Sequence, residues 1–254
     1  MVSVPMPSRR HDHVLQGNVV VVSPHLDDAV FSLGAGIAHS TRLGAKVRVL
    51  TVFAGDPTSS GPPGWWDREA GFESEGEAAR TRRNEDVEAC NILGAIPEWL
   101  PFRDATYEPP ADDETIRRAV AGSVRDADEV LLPGFPLRHV DHLRLARLLL
   151  EQPTEALRRG LYVEQPYAKR DGRRRPWHRP SVPASLDPLV KRDVQWASLA
   201  STRRDRQAKY QAAVAYASQL QLFGRIHYPI LGRLLHRRVA LYEALRGGEG
   251  VAWL

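Results

Sequence analysis

Apolar residues in this chain fall into short β-branched runs separated by longer stretches with helical spacing. Val19–Val22 is unbroken by any polar side chain, the pattern of a strand covered on both faces. The small and apolar run Ala29–Ala35 that follows suits a helix lying close against a sheet, and the spacing predicts that helix over Asp27–Leu43, closed by Gly44. Lys46–Phe53 predicts a second strand, and Ala54–Gly71, rich in Gly, Pro and Trp, a long loop. Glu75–Leu93 predicts a charged helix whose apolar stripe runs through Ala78, Ala89, Ile92 and Leu93 up to Gly94. Then come a short strand at Trp99–Phe102, a helix with acids at its start over Asp112–Arg125, a strand at Glu129–Pro133, a helix from His139 to Leu150 and a strand at Leu161–Gln165.

Strands alternating with helices in this way predict an α/β fold, a Rossmann-like, mostly parallel sheet with helices on both faces and right-handed crossovers. From Leu186 onward the pattern turns helical, over Pro188–Ala200, Thr202–Phe223 and Arg233–Leu245. The expected organisation is a single domain over 1–254, with an α/β core at about 17–166 and a C-terminal loop and helices at about 167–254. No Gly-x-Gly-x-x-Gly follows the first strand, which speaks against a dinucleotide cofactor despite the strand order.

Composition narrows the picture. With 35 Lys+Arg against 31 Asp+Glu the net charge is only +4. A nucleic-acid partner requires that charge to be clustered, and no such partner is expected. The strongest basic cluster, Lys169–Arg179, reads either as a solvated loop or as a flank that grips a substrate phosphate, with His178 placed to close on the site as an acid. A single cysteine, Cys90, excludes an internal disulfide framework and fits the core side of its helix. Met1–His13 has no apolar stretch, so it reads as a solvated arm carrying His11 and His13 rather than a leader or anchor. Nothing later is long enough to span a bilayer, and a cytoplasmic protein is expected, with no membrane partner.

Polar residues gather where two of these strands end. Ser23-Pro24-His25-Leu26-Asp27-Asp28 follows the first strand, and His139-Val140-Asp141-His142 follows the strand at Glu129–Pro133. Open α/β sheets bind their ligands at carboxyl ends of strands, so the two clusters meet if their strands are neighbours. His25, Asp28 and one of the later histidines would then give a divalent cation three N/O ligands and leave a position open for water. Carboxylates at Asp27 and Asp28 also complement a helix N-terminus, but a purely structural role would have to explain the second cluster separately. His139 and His142 share a helix face, and Asp141 between them can orient a histidine through its ring N–H. Asp56, after the second strand, either contacts substrate, orients His25 or serves its turn, while Trp65 and Trp66 either stack on a ligand ring or pin their loop.

The Pro-His-x-Asp-Asp run and the later His-x-Asp-His resemble the PIG-L/LmbE-like zinc N-deacetylases, over about residues 17–166. That family includes enzymes that deacetylate N-acetylglucosamine in glycolipid anchors, in mycothiol and bacillithiol precursors and in glycosylated antibiotics. Ala29 stands where many members carry Glu. The resemblance implies His25, Asp28 and His142 as metal ligands, Asp27 as general base, and His139 as the group that stabilises the tetrahedral intermediate, adding a second positive charge there if protonated. It implies further that Arg82, in Arg82-x-x-Glu85, reaches a substrate hydroxyl or phosphate with Glu85 fixing its fork, and that Asp104 contacts the substrate or the catalytic histidine. The implied function is a zinc-dependent hydrolase that removes the acetyl group from an N-acetylglucosamine-type sugar, free, nucleotide-linked or on a glycosylated metabolite. Its cofactor would be Zn2+, although iron or another divalent ion suits the same ligands. The partner would be a small-molecule N-acetyl sugar or glycoconjugate, and the C-terminal helices could form the interface of a homo-oligomer. Alternatives on the same scaffold are an amidase for a larger sugar amide, such as a mycothiol conjugate, and a non-catalytic sugar or nucleotide binder.

Overall fold

The computed structural model describes residues 12–107, 110–151, 156, 158–165, 195–220, 222 and 249–254. Its centre is one sheet. Strand β1 is Asp12–His13, β2 Asn18–Ser23, β3 Lys46–Thr51, β4 Ile96–Trp99, β5 Glu129–Phe135, β6 Arg158–Val163, β7 Gln195–Leu199 and β8 Gly250–Trp253. Their order across the sheet is β1-β7-β8-β6-β5-β2-β3-β4. All neighbours run parallel except β8, which is antiparallel to both β6 and β7. The chain moves outward from β2 through β3 to β4, then crosses back to place β5 on the other side of β2. The carboxyl ends of β2 and β5 therefore flank the point where the strand order reverses, the ligand crevice of an open α/β sheet.

Helices cover both faces. Helices α1 (Asp28–Arg42), α3 (Glu75–Leu93) and α6 (Arg203–Ala215) share one apolar cluster with Val19, Val21, Val47 and Val49. Helices α4 (Asp113–Ser123) and α5 (Val140–Leu150) pack on the other face, against Val20, Val22, Val130 and Leu132. The unbroken valine run of β2 follows from this, because its alternate side chains enter opposite cores. Helix α1 lies so close that a Cβ on Gly36 would stand 2.5 Å from Leu199 Cδ1, which explains its small residues. Side chains cap the helix starts: Ser74 accepts from Glu77 N–H, Asp112 from Thr115 N–H, and Thr202 and Asp205 form a reciprocal box on α6.

Several expectations are corrected. The third strand lies at Ile96–Trp99 rather than Trp99–Phe102; as the sheet's edge it tolerates Pro97, and it continues only as a bridge between Phe53 and Pro101. A short helix, α2 (Trp65–Ala70), interrupts the expected loop at Ala54–Gly71. The expected helix Pro188–Ala200 ends instead as β7, and β8 closes the chain, so the C-terminal portion adds strands to the sheet as well as helix. His13 does not sit in a solvated arm: β1 pairs with β7, and the His13 ring meets Glu129 at 3.2 Å and Trp253 edge-on. Cys90 is fully buried, as expected. The expectations for His11, Lys169–Arg179, His178 and Arg233–Leu245 fall outside the described residues. Among those described, no helix is long and apolar enough to cross a membrane.

Candidate metal centre and catalytic site

Between β2 and α1 the chain makes a tight, internally bonded loop. Ser23 Oγ donates to the His25 carbonyl at 2.6 Å and accepts from Ala29 N–H, while Gln219 Nε2 holds the Leu26 carbonyl at 2.7 Å. Asp28 Oδ2 accepts from the His25 N–H at 2.9 Å, which draws the carboxylate back toward the imidazole. Asp27 precedes α1 with φ 137°, a conformation that L residues rarely hold. Across the crevice His139 caps α5, its Nδ1 accepting from the Asp141 N–H at 3.2 Å, and His142 lies fully buried in the first turn.

The two clusters converge. His25 Nδ1 is 3.3 Å from Asp28 Oδ2, His142 Nε2 is 3.1 Å from the same oxygen, and the two nitrogens are 3.2 Å apart. Three corners of a tetrahedron around an ion with bonds of about 2.0 Å are separated by about 3.3 Å, so this triangle fits a zinc-sized cation. A wider group, the ring nitrogens of His25, His139 and His142, spans up to 4.8 Å, but the His139 Nδ1 already serves its helix cap. The tighter triangle is the better donor set. Each histidine of the triangle has its other nitrogen on a carboxylate: His25 Nε2 meets Asp141 Oδ2 at 3.0 Å, and His142 Nδ1 meets Glu164 Oε1 at 2.5 Å. Those partners fix which nitrogen faces the centre.

Charge follows the same pairing. Burial alone would lower the His142 pKa, but Asp28 and Glu164 outweigh it and raise it to about 9. His25 is likewise raised, burial being overcome by its bonds to Asp141 and Asp28. Burial opposes ionisation of Asp28, yet the two imidazoles hold its carboxyl well below the ordinary range. Asp27 behaves oppositely: burial first, and the Asp28 charge second, raise it well above a normal aspartate. His139 is lowered to about 4, chiefly by burial and then by the neighbouring histidines, so the ring is neutral near pH 7.

The remaining expected residues divide. Arg82 lies buried on α3, paired with Asp67 of α2 and stacked over Phe72, and its charge is felt at Asp27. Glu85 does not fix its fork; that carboxylate bonds Ser218 N–H and Oγ. Asp104 turns into its own loop, where Oδ1 accepts from Thr106, while the next N–H, of Ala105, reaches Asp141. Asp56 bonds Thr58 and is not the carboxylate on His25. Trp65 is largely exposed and tilts against Trp66 at 5.9 Å. Sequence reasoning missed Glu164, Asp67 and Tyr107, whose hydroxyl donates to Asp67. Of these only Glu164 carried a signal, its position directly after a strand on the same sheet rim.

A doubly wound sheet with a His–Asp–His donor triangle at its reversal point defines an α/β protein with a candidate metal site. Residues 20–152 match the PIG-L family, described as GlcNAc-PI de-N-acetylase, and the chain belongs to that family. Over 151 residues it is 32% identical to the 2'-N-acetylparomamine deacetylase of Streptomyces fradiae, a match covering 52% of this chain and 50% of that one. The matched stretch thus spans about half the length of the curated relative. The crystal structure of the antimicrobial A40926 pseudoaglycone deacetylase is 26% identical, with a TM-score of 0.63 over 92% of this chain and 95% of that one. A triple mutant of the deacetylase in the teicoplanin biosynthetic pathway is 25% identical, with a TM-score of 0.68 over 93% and 98% of the two chains.

Proposed function

We propose that this protein is a zinc-dependent N-deacetylase acting on an N-acetylated amino sugar carried by a small glycosylated metabolite. The observation that carries the reading is the donor triangle of His25, Asp28 and His142, each imidazole backed by a carboxylate, with Asp27, its pKa raised, beside it. Deacetylase relatives of a paromamine derivative and of two glycopeptide compounds favour an amino sugar as the substrate. The partner class is accordingly an N-acetyl sugar or glycoconjugate.

His25, Asp28 and His142 would hold the cation. When bound, a divalent zinc supplies Lewis-acid polarisation of the acetamide carbonyl and makes water acidic enough to attack near neutral pH. Asp27 takes the proton from the attacking water; its raised pKa makes it a stronger base than an ordinary aspartate. The same proton then goes to the amine nitrogen as the carbon–nitrogen bond breaks, giving acetate and a free amino sugar. His139 accepts a backbone N–H at Nδ1, so its proton sits on Nε2, where it donates a hydrogen bond to the developing oxyanion as a neutral group. Arg82 contacts hydroxyl oxygens of the sugar.

Acetate release from N-acetylglucosamine and from 2'-N-acetylparomamine, measured beside metal content, tests the proposal. Wild type should hold about one zinc per chain and release acetate, His142→Ala should lose the metal, and Asp27→Asn should keep it and lose most turnover. Metal-loaded protein that releases acetate from no N-acetyl sugar overturns the reading.

A further inference from the structure

Arg82 is only 7% exposed, and two of its donors, Nε and Nη2, have no hydrogen-bond partner among the described residues. Buried donors left unmet cost free energy, and these two lie on one edge of the guanidinium, the fork that takes two oxygens at once. The opposite side is occupied. Nη1 is ion-paired with Asp67, the Cζ lies 5.4 Å from the Phe72 ring centre, and the other Asp67 oxygen receives the Tyr107 hydroxyl. Asp67 thereby ties α2, α3 and the loop after β4 together, and the Arg82 charge is felt at Asp27. A Cβ at Gly64, just before α2, would stand 2.9 Å from the Tyr107 ring, so α2 and that loop are already in close contact.

The charge balance of this cluster decides what the open edge can bind. An uncompensated arginine favours a carboxylate or phosphate. Here Asp67 cancels the guanidinium charge, and Tyr107 stays a neutral donor, because burial and Asp67 push its hydroxyl pKa upward. What remains is a two-pronged donor with little net charge, which matches a pair of neutral oxygens such as adjacent ring hydroxyls.

We infer that Asp67 and Tyr107 are positioning residues that set substrate specificity: they hold Arg82 charge-balanced, so that its Nε–Nη2 edge selects a neutral pair of sugar oxygens beside the acetamide and rejects an anionic group there. The inference rests on the deacetylase reading of the site.

Steady-state kinetics on N-acetylglucosamine and calorimetric titration with sulfate, both on zinc-loaded protein, test it. Asp67→Asn should raise KM about tenfold with kcat within about twofold, the loss expected when the buried ion pair that orients the fork is removed. Sulfate should bind Asp67→Asn about tenfold tighter than wild type, and the double variant Asp67→Asn/Arg82→Met should lose that gain. Sulfate bound elsewhere, including at the metal, is common to all three proteins and cancels. Tyr107→Phe, which keeps the ring packing, should raise KM by a smaller factor in the same direction, and it serves if Asp67→Asn does not fold. An unchanged KM in both single variants, or equal sulfate affinity in wild type and Asp67→Asn, overturns the inference. If wild type releases no acetate, the deacetylase reading fails by itself, and the sulfate titration still decides the charge-balance claim.

Discussion

His142 Nδ1 lies 2.5 Å from Glu164 Oε1, and both side chains are shut away from solvent. The second Glu164 oxygen accepts the Leu137 N–H at 2.9 Å, so one carboxylate fixes both the His142 imidazole and the turn that leads into α5. A histidine whose Nδ1–H is given to a carboxylate presents Nε2 as its lone pair. Glu164→Leu should therefore weaken zinc affinity by roughly tenfold to a hundredfold, and Glu164→Gln, which keeps an acceptor oxygen, by less. Competition with a chromogenic chelator measures both. Equal affinity in all three proteins would show that His142 is oriented by its helix alone.

Metal affinity should also depend on pH, and the sign follows from His142. Its pKa in the metal-free fold is raised from 6.5 to about 9. The stabilisation from its protonated form is complete below about 6.5 and disappears as pH rises through about 9. A cation competes with that proton for Nε2. Zinc affinity should then climb at least about tenfold per pH unit between 6.5 and 9, with proton release on binding, while the melting temperature of metal-free protein falls over the same range. A flat affinity profile would mean that no imidazole proton is displaced.

Much of this site was legible because its chemistry is local. Ser23–Asp28 and His139–His142 each put the needed side chains within a few residues of a strand end, and a β-branched run such as Val19–Val22 announces its strand. The spacing of His25 and Asp28 already paired those two as ligands, whereas Asp27 as base and His142 over His139 came from family resemblance. Glu164 is different. Its place at the end of β6 is the one local signal, and its role depends on β6 lying beside β5, which the neighbouring residues do not encode. Asp67 was hidden in a Gly-, Pro- and Trp-rich segment that reads as loop, and nothing in the residues around Asp104 marks the bonds that Thr106 gives its Oδ1. Strands β7 and β8 stabilise one another through antiparallel pairing between distant parts of the chain, so Gln195–Leu199 needs no alternation of its own.

Asp86 is buried on α3 with two donors, the Tyr216 hydroxyl at 2.5 Å and Trp99 Nε1 at 2.8 Å. The contact joins α3 to the residue that ends α6 and to the last residue of the edge strand β4. Tyr216→Phe keeps the edge-on packing against Phe31 but removes one donor from a charged acceptor, a loss of about 1.5–3 kcal/mol. Burial already raises the Asp86 pKa despite both bonds, so the variant should raise it further. A raised carboxyl pKa means stability falls as pH rises above the unfolded value, so the defect in Tyr216→Phe should shrink between pH 7 and pH 5. Urea unfolding at the two pH values checks this, and an equal defect at both would assign the loss to packing.

Asp27 holds a backbone conformation suited to glycine, with φ 137° and ψ −33°, and its charge is opposed by Asp28. Strain of this kind costs about 1–3 kcal/mol and persists where function requires the side chain. Asp27→Gly removes both the strain and the repulsion, while adding about 0.5–1 kcal/mol of chain entropy to the unfolded state. The metal-free variant should gain about 1 kcal/mol, which for a chain of this size is a rise of about 2–4 °C in Tm, and it should lose turnover as Asp27→Asn does. Asp27→Asn, which retains a Cβ at the same φ, should gain less than Asp27→Gly, because only the charge repulsion is relieved. Calorimetry of the three metal-free proteins orders them. A glycine variant no more stable than the asparagine one would show that the conformation at position 27 carries no strain, and that only the charge of Asp28 acts on the base.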